Sequence, residues 1–257
     1  MIRTPTLVVL TVVLTGIWAV VVLQFLSVMG PDWTAYAPAS CLGTHCFCEL
    51  PRRGSLLLQP ANSWSSLGFV AVGGWIMLGA GQHPRSALGV WAALWLGFAA
   101  LVIGVGSVLL HATLTLWGQF ADVLGMYLLG AFLLVRGVMR WRSIGPGTAI
   151  GLYIVVAGGL IGALFIWPET RRWLFAAVLV TAVLVEWYLA RPRRRGVRPE
   201  LFLLGLAANL LAFAIWILDQ SLVWCAPASR LQGHAVWHVL GAAATVCSYG
   251  YFRSERR

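Results

Sequence analysis

The feature that most constrains this chain is its succession of long apolar stretches with almost no charge inside them. Eight of them reach the roughly 20 residues a helix needs to cross bilayer hydrocarbon. They run over about 5–29, 63–81, 87–110, 120–139, 147–167, 173–190, 200–219 and 234–252. Of 257 residues, 60% are hydrophobic and 10% charged, against about 45–50% and about 25% in an average soluble domain. A soluble globule of this size cannot hide so much apolar surface, and disorder needs the opposite composition. The expectation is an all-α membrane protein with eight spans. Residues 1–29 form an extra N-terminal transmembrane helix, 30–62 an external Cys-containing segment, 63–252 a seven-transmembrane-helix core and 253–257 a basic cytoplasmic tail. The stretch 87–139 carries no charge before Asp122 and divides at the polar run Ala112–Gln119. The first apolar run is longer than the 7–15 residues of a signal-peptide core, so it reads as a retained helix.

All 18 basic residues are arginine, against 8 acids, for a formal charge of +10. In a soluble domain that balance suggests nucleic acid. Here the arginines sit between spans, so no nucleic-acid partner is expected and the charge reads as topology. With both termini inside, 13 of the 18 fall on the cytoplasmic side; Arg52, Arg53, Arg171, Arg172 and Arg230 fall outside. That excess supports the orientation. The run Arg191–Arg198 reads first as a topology anchor, with binding of anionic lipid headgroups as the alternative.

Ionisable groups inside spans are expensive, so those present call for a reason. Ser107 and His111 lie four apart near the end of the third span, on one helix face. Asp122 begins the fourth span, Asp219 ends the seventh, and His234 and His238 are four apart at the start of the eighth. The orientation puts all six at one depth, in the outer half of the membrane, a convergence independent of the arginine count. Two imidazoles one turn apart on a helix are a common way to offer two metal ligands. With His111 they make three, leaving a fourth tetrahedral position on zinc open for water, whose pKa zinc lowers towards about 7. Asp122 is placed as general base and Ser107 as donor to a developing oxyanion. Plainer readings stand beside these. The HxxxH pair can arise by packing or serve a proton relay, and Ser107 can bond the carbonyl four residues back. Asp219 can cap its helix or orient a ligand histidine from behind. Glu186, deep in the sixth span, has no evident partner and stays unassigned.

Three blocks carry a resemblance: Gly106–Leu114 with Gln119–Asp122; Trp216–Asp219 with Cys225 and Gly233–His238; and Cys48–Glu49 with Gln59–Ser66. In order and spacing they resemble the alkaline ceramidase family of membrane hydrolases, related to the adiponectin receptors. The resemblance implies a seven-helix core binding one zinc through His111, His234 and His238, with Ser107 and Asp122 beside the zinc water. It implies cleavage of the amide of ceramide, or of a similar N-acyl lipid entering from the bilayer, into an amine and a fatty acid. It further implies a disulfide between Cys48 and Cys225. The Gln59–Pro60–x–Asn62 pattern is similar to the bacterial branch, which places the chain in an inner membrane with its site towards the periplasm. Eukaryotic members carry an acidic calcium site before the first core helix. Here Glu49 and Asn62 are the matching oxygen ligands, with Cys46 and Gln59 where others would fall. Calcium prefers six to eight oxygens including carboxylates, so a strong calcium site is not expected.

Of the remaining cysteines, Cys41 and Cys46 form a second external pair, with a thiol metal site including His45 as the competing reading. Cys247 reads as a packed apolar residue. Two other functions stay open at this point: a zinc-binding receptor of the adiponectin-receptor type, and a transporter or proton relay without hydrolysis.

Overall fold

The computed structural model describes residues 3–30, 32–43, 46–190 and 196–256. Among the described residues nine α-helices carry the fold: α1 Thr4–Met29, α2 Pro60–Ser65, α3 Leu67–Gly79, α4 Val90–Thr113, α5 Leu116–Arg142, α6 Pro146–Ile166, α7 Arg171–Leu184, α8 Pro199–Gln220 and α9 Gly233–Ser254. Among the described residues there is no strand, only two isolated bridges, Pro38 with Thr115 and Ser86 with Arg256. The protein is an integral membrane protein: among the described residues seven helical stretches are long and apolar enough to cross a bilayer. Large apolar side chains face outward along them, as Ile150, Ile154 and Val155 do on α6. That surface would aggregate in water and suits lipid.

The eighth expected span, α9, has the length but falls short of the others in hydropathy. It carries His234, His238, Tyr249 and Tyr251, all buried, and packs against α8, α3 and α2. A helix held among other helices need not be apolar all round. At the other extreme, α1 buries only Leu7, Val22 and Leu26 and rests on α3 and α4. Gly74 of α3 makes room for the Leu14 side chain there.

The division between α4 and α5 is tighter than the polar run Ala112–Gln119 suggests. The helices are separated by Leu114, in the left-handed region at φ 50°, and Thr115. Thr115 caps α5 by accepting from the Gly118 amide at 3.2 Å, and Thr113 donates to the Leu109 carbonyl at 2.7 Å. The Gln119 side chain accepts from both the amide and the hydroxyl of Ser40. Each polar group finds its partner at a helix end, so no long aqueous loop is needed.

The same pair of helices approaches closely at Gly106. A Cβ there would collide with the Ala121 carbonyl and stand 2.7 Å from the Asp122 amide. Small residues at such crossings let membrane helices touch backbone to backbone. Gly106→Ala is expected to force α4 and α5 apart beside Ser107 and Asp122. Overpacking costs about 1–3 kcal/mol, read as a lower unfolding midpoint in detergent; an unchanged midpoint would contradict the crossing.

Two positions read as loop cations lie inside the protein. Arg140, near the end of α5, pairs with Glu186 and with Glu255, the latter at 3.2 Å. Tyr251 donates to Glu186 at 2.5 Å and accepts from Arg140 at 2.6 Å. Glu186 therefore has partners, supplied by α5 and α9 at a π turn over Val185–Leu189. The second is Arg171, buried at the first residue of α7 rather than free in an external loop. The headgroup reading of Arg191–Arg198 rests mainly on 191–195, which lie outside the described residues. Arg198 pairs with Glu200 at 2.7 Å on the surface.

Candidate metal centre

The polar residues singled out in the sequence meet at one end of the bundle. His111 stands one turn from the end of α4, and His234 and His238 occupy the first turns of α9. One ligand atom from each of the three lies within 4.8 Å of the others. The rings are 4.6–5.1 Å apart between centroids, and all three are buried. Buried imidazole nitrogens normally find hydrogen-bond partners. Here His111 Nε2 and His234 Nδ1 have none among the described residues. Three neutral nitrogen donors around one point, two of them otherwise unsatisfied, fit a metal that accepts imidazole, zinc among them.

The surroundings orient the rings. Gln59, just before α2, accepts through Oε1 from the His111 Nδ1–H at 2.9 Å. That fixes the tautomer and leaves Nε2 free for the metal. Gln59 is itself held: its Nε2 donates to the Glu49 carbonyl at 2.7 Å, and its amide donates to the His111 carbonyl at 3.0 Å. His238 Nδ1 lies 2.8 Å from the Ser65 hydroxyl and 3.3 Å from that of Ser66, at the break between α2 and α3. His234 is seated through its backbone, since its amide donates to Asp219 Oδ1 at 3.1 Å. The other Asp219 oxygen accepts from the Cys48 amide at 3.2 Å. Asp219 thus starts α9 and ties it to the preceding segment.

Ser107 lies one turn below His111, its hydroxyl 3.2 Å from His238 Nε2. The Asp122 carboxyl lies beside it. The close crossing at Gly106 brings these two together. Arg171 adds positive potential beside Asp122, with its guanidinium donating to the Pro168 carbonyl at 3.1 Å. Ser107 and Asp122 were legible as candidates. Gln59, Ser65, Ser66 and Arg171 were not, because their partners come from distant segments.

The external segment is covalently tied. Disulfides join Cys41 to Cys46 and Cys48 to Cys225, the second across 177 residues. The competing thiol site is therefore absent in this form, with His45 outside the described residues. Cys247 is the free cysteine and is partly buried. Glu49 and Asn62 are neighbours, but both Glu49 oxygens already accept amides, of Ala61 at 2.8 Å and Asn62 at 2.9 Å. Burial pushes the Glu49 carboxyl above its usual range against the pull of those amides. Its visible work is to cap α2 and so position Gln59 and Ser65.

A family model described as Ceramidase matches residues 58–255. The match contains the three histidines, Ser107, Asp122 and Asp219, and begins after α1 and the first three cysteines. No curated protein matches the chain.

Proposed function

From the premise that this chain belongs to the ceramidase family, we propose that it is a zinc-dependent membrane amidohydrolase acting on ceramide or a similar N-acyl lipid. The observation that carries the reading is the cluster of three buried histidines with Ser107 and Asp122 against it. Histidines 111, 234 and 238 would hold the metal. When bound, zinc supplies Lewis acidity that activates water and polarises the amide carbonyl.

The chain's own residues then have separate tasks. Asp122 accepts the proton of the attacking water and passes it to the departing nitrogen. The water oxygen joins the acyl carbon, the C–N bond breaks, and the products are a fatty acid and an amine. Ser107 donates to the carbonyl oxygen as negative charge develops on it, in a site from which bulk water is excluded. Arg171 places a positive charge near Asp122. Gln59, Ser65 and Ser66 keep the ligand rings aimed. With the N-terminus inside, the site faces the periplasmic side of a bacterial inner membrane.

The test is incubation of the purified protein with a panel of N-acyl lipids, ceramides of several acyl lengths included, reading fatty acid release by mass. Release from amide-linked lipids supports the reading. A protein that carries zinc yet cleaves no member of the panel would favour a binding role.

A further inference from the structure

Hydrogen bonds orient two of the three histidines. His111 has Gln59, and His238 has Ser65, Ser66 and Ser107. The His234 ring has no hydrogen bond among the described residues, and its Nδ1 is buried. A metal ligand left to rotate about χ1 and χ2 would cost binding energy each time it is fixed. What restrains this ring is a neighbour of another kind. Phe47 lies with its ring centroid 4.2 Å from that of His234 and 4.5 Å from that of His111. It is 8% exposed, packed on the other side with Ala39, Leu58, Leu110 and Leu114.

The backbone of Phe47 is fixed on both sides. Cys46 precedes it and is joined to Cys41; Cys48 follows it and is joined to Cys225. The Cys48 amide is also bonded to the Asp219 carboxylate that starts α9 at His234. The ring, the two staples and the start of α9 therefore form one connected unit. None of these four cysteines or Phe47 has a catalytic reason to be there, and residues 46–48 precede the family match.

We propose that Phe47 is the cap of the histidine centre: a positioning residue that seats the His234 and His111 rings by tilted ring contacts and shields their nitrogens from water. Aromatic ring pairs contribute about 0.5–1.5 kcal/mol beyond the area they bury, comparable to the hydrogen bond that the His234 ring lacks. The inference rests on the three histidines being the functional centre, and it deepens that reading.

The experiment uses the full chain in detergent, as wild type, Phe47→Ala, Phe47→Leu and Phe47→Trp. The first readout is histidine modification by diethylpyrocarbonate in metal-stripped protein, followed on the peptides carrying His111 and His234. The second is the rate at which a chelator removes loaded zinc. Loss of the ring in Ala and Leu is expected to speed modification of His234 several-fold. It should also weaken metal retention about 10- to 100-fold, as loss of outer support for a ligand typically does. Phe47→Trp, which keeps an aromatic face, should stay near wild type in both. Phe47→Leu preserves most of the apolar volume, so it reads the ring contact even if Phe47→Ala does not fold. Wild-type rates in Phe47→Leu would overturn the proposal, since filling the space would then suffice. Failure of wild type to take up zinc would count against the metal centre, and the modification rates would still decide the cap.

Discussion

Replacing any one of His111, His234 and His238 with alanine is expected to abolish zinc binding and lipid-amide hydrolysis together. The three offer the ligand atoms that lie within 4.8 Å of one another, and no other described group of His, Cys, Asp or Glu does so. Two imidazoles do not complete the three-ligand set of a catalytic zinc. The fall should reach at least about 1,000-fold, which is about 4 kcal/mol of activation free energy. The rings are buried, so each variant is first checked for an intact unfolding transition. Metal content then separates loss of ligand from loss of fold. Full activity in any one of the three would sink the mechanism.

The second large effect concerns Asp122. Asp122→Asn keeps the shape of the side chain but removes the basic oxygen. Zinc content should be unchanged, because Asp122 is not in the group of ligand atoms. The rate should drop by about 100-fold or more, the usual consequence of losing a general base. The split between the two measurements is what matters. Loss of zinc with loss of rate would make Asp122 a ligand, and retention of both would remove it from the proton path.

Much of this centre was legible in the sequence because its residues are costly where they stand. A histidine pair one turn apart, a third histidine and two acids at span ends cannot hide among apolar helices. Their convergence at one end of the bundle followed from the alternation of spans alone. The disulfide between Cys48 and Cys225 followed from a resemblance, and the structure contains it. What was not legible depends on contacts between segments far apart in the chain. Gln59 reaches His111 across 52 residues, and Ser65 reaches His238 across 173. Nothing in the local pattern around Phe47 points to two histidines. Arg140 and Arg171 looked like loop cations because their charge is what sequence counting records, whereas in the fold Arg140 meets Glu186 and Glu255, and Arg171 meets Glu169 with Asp122 nearby. The break between α4 and α5 falls inside the polar run Ala112–Gln119, where polar side chains satisfy the helix ends.

The buried ionic cluster at the other end of the bundle has a structural consequence. Arg140, Glu186, Tyr251 and Glu255 join α5, the π turn after α7 and the end of α9. Removing one partner from such a pair leaves an uncompensated buried charge, typically at a cost of about 3–5 kcal/mol. The cluster therefore holds the bundle closed at the end away from the histidines, while the disulfides and Asp219 hold the end that carries them.

The central claim is that hydrolysis of a lipid amide depends on a metal held by these three histidines. The most direct measurement is fatty acid release from ceramide by the purified protein, with its zinc content determined on the same sample before chelation, after chelation and after zinc is restored. The account predicts about one zinc per chain, loss of hydrolysis when zinc is removed and recovery when it is returned. Hydrolysis that persists in zinc-free protein would contradict it.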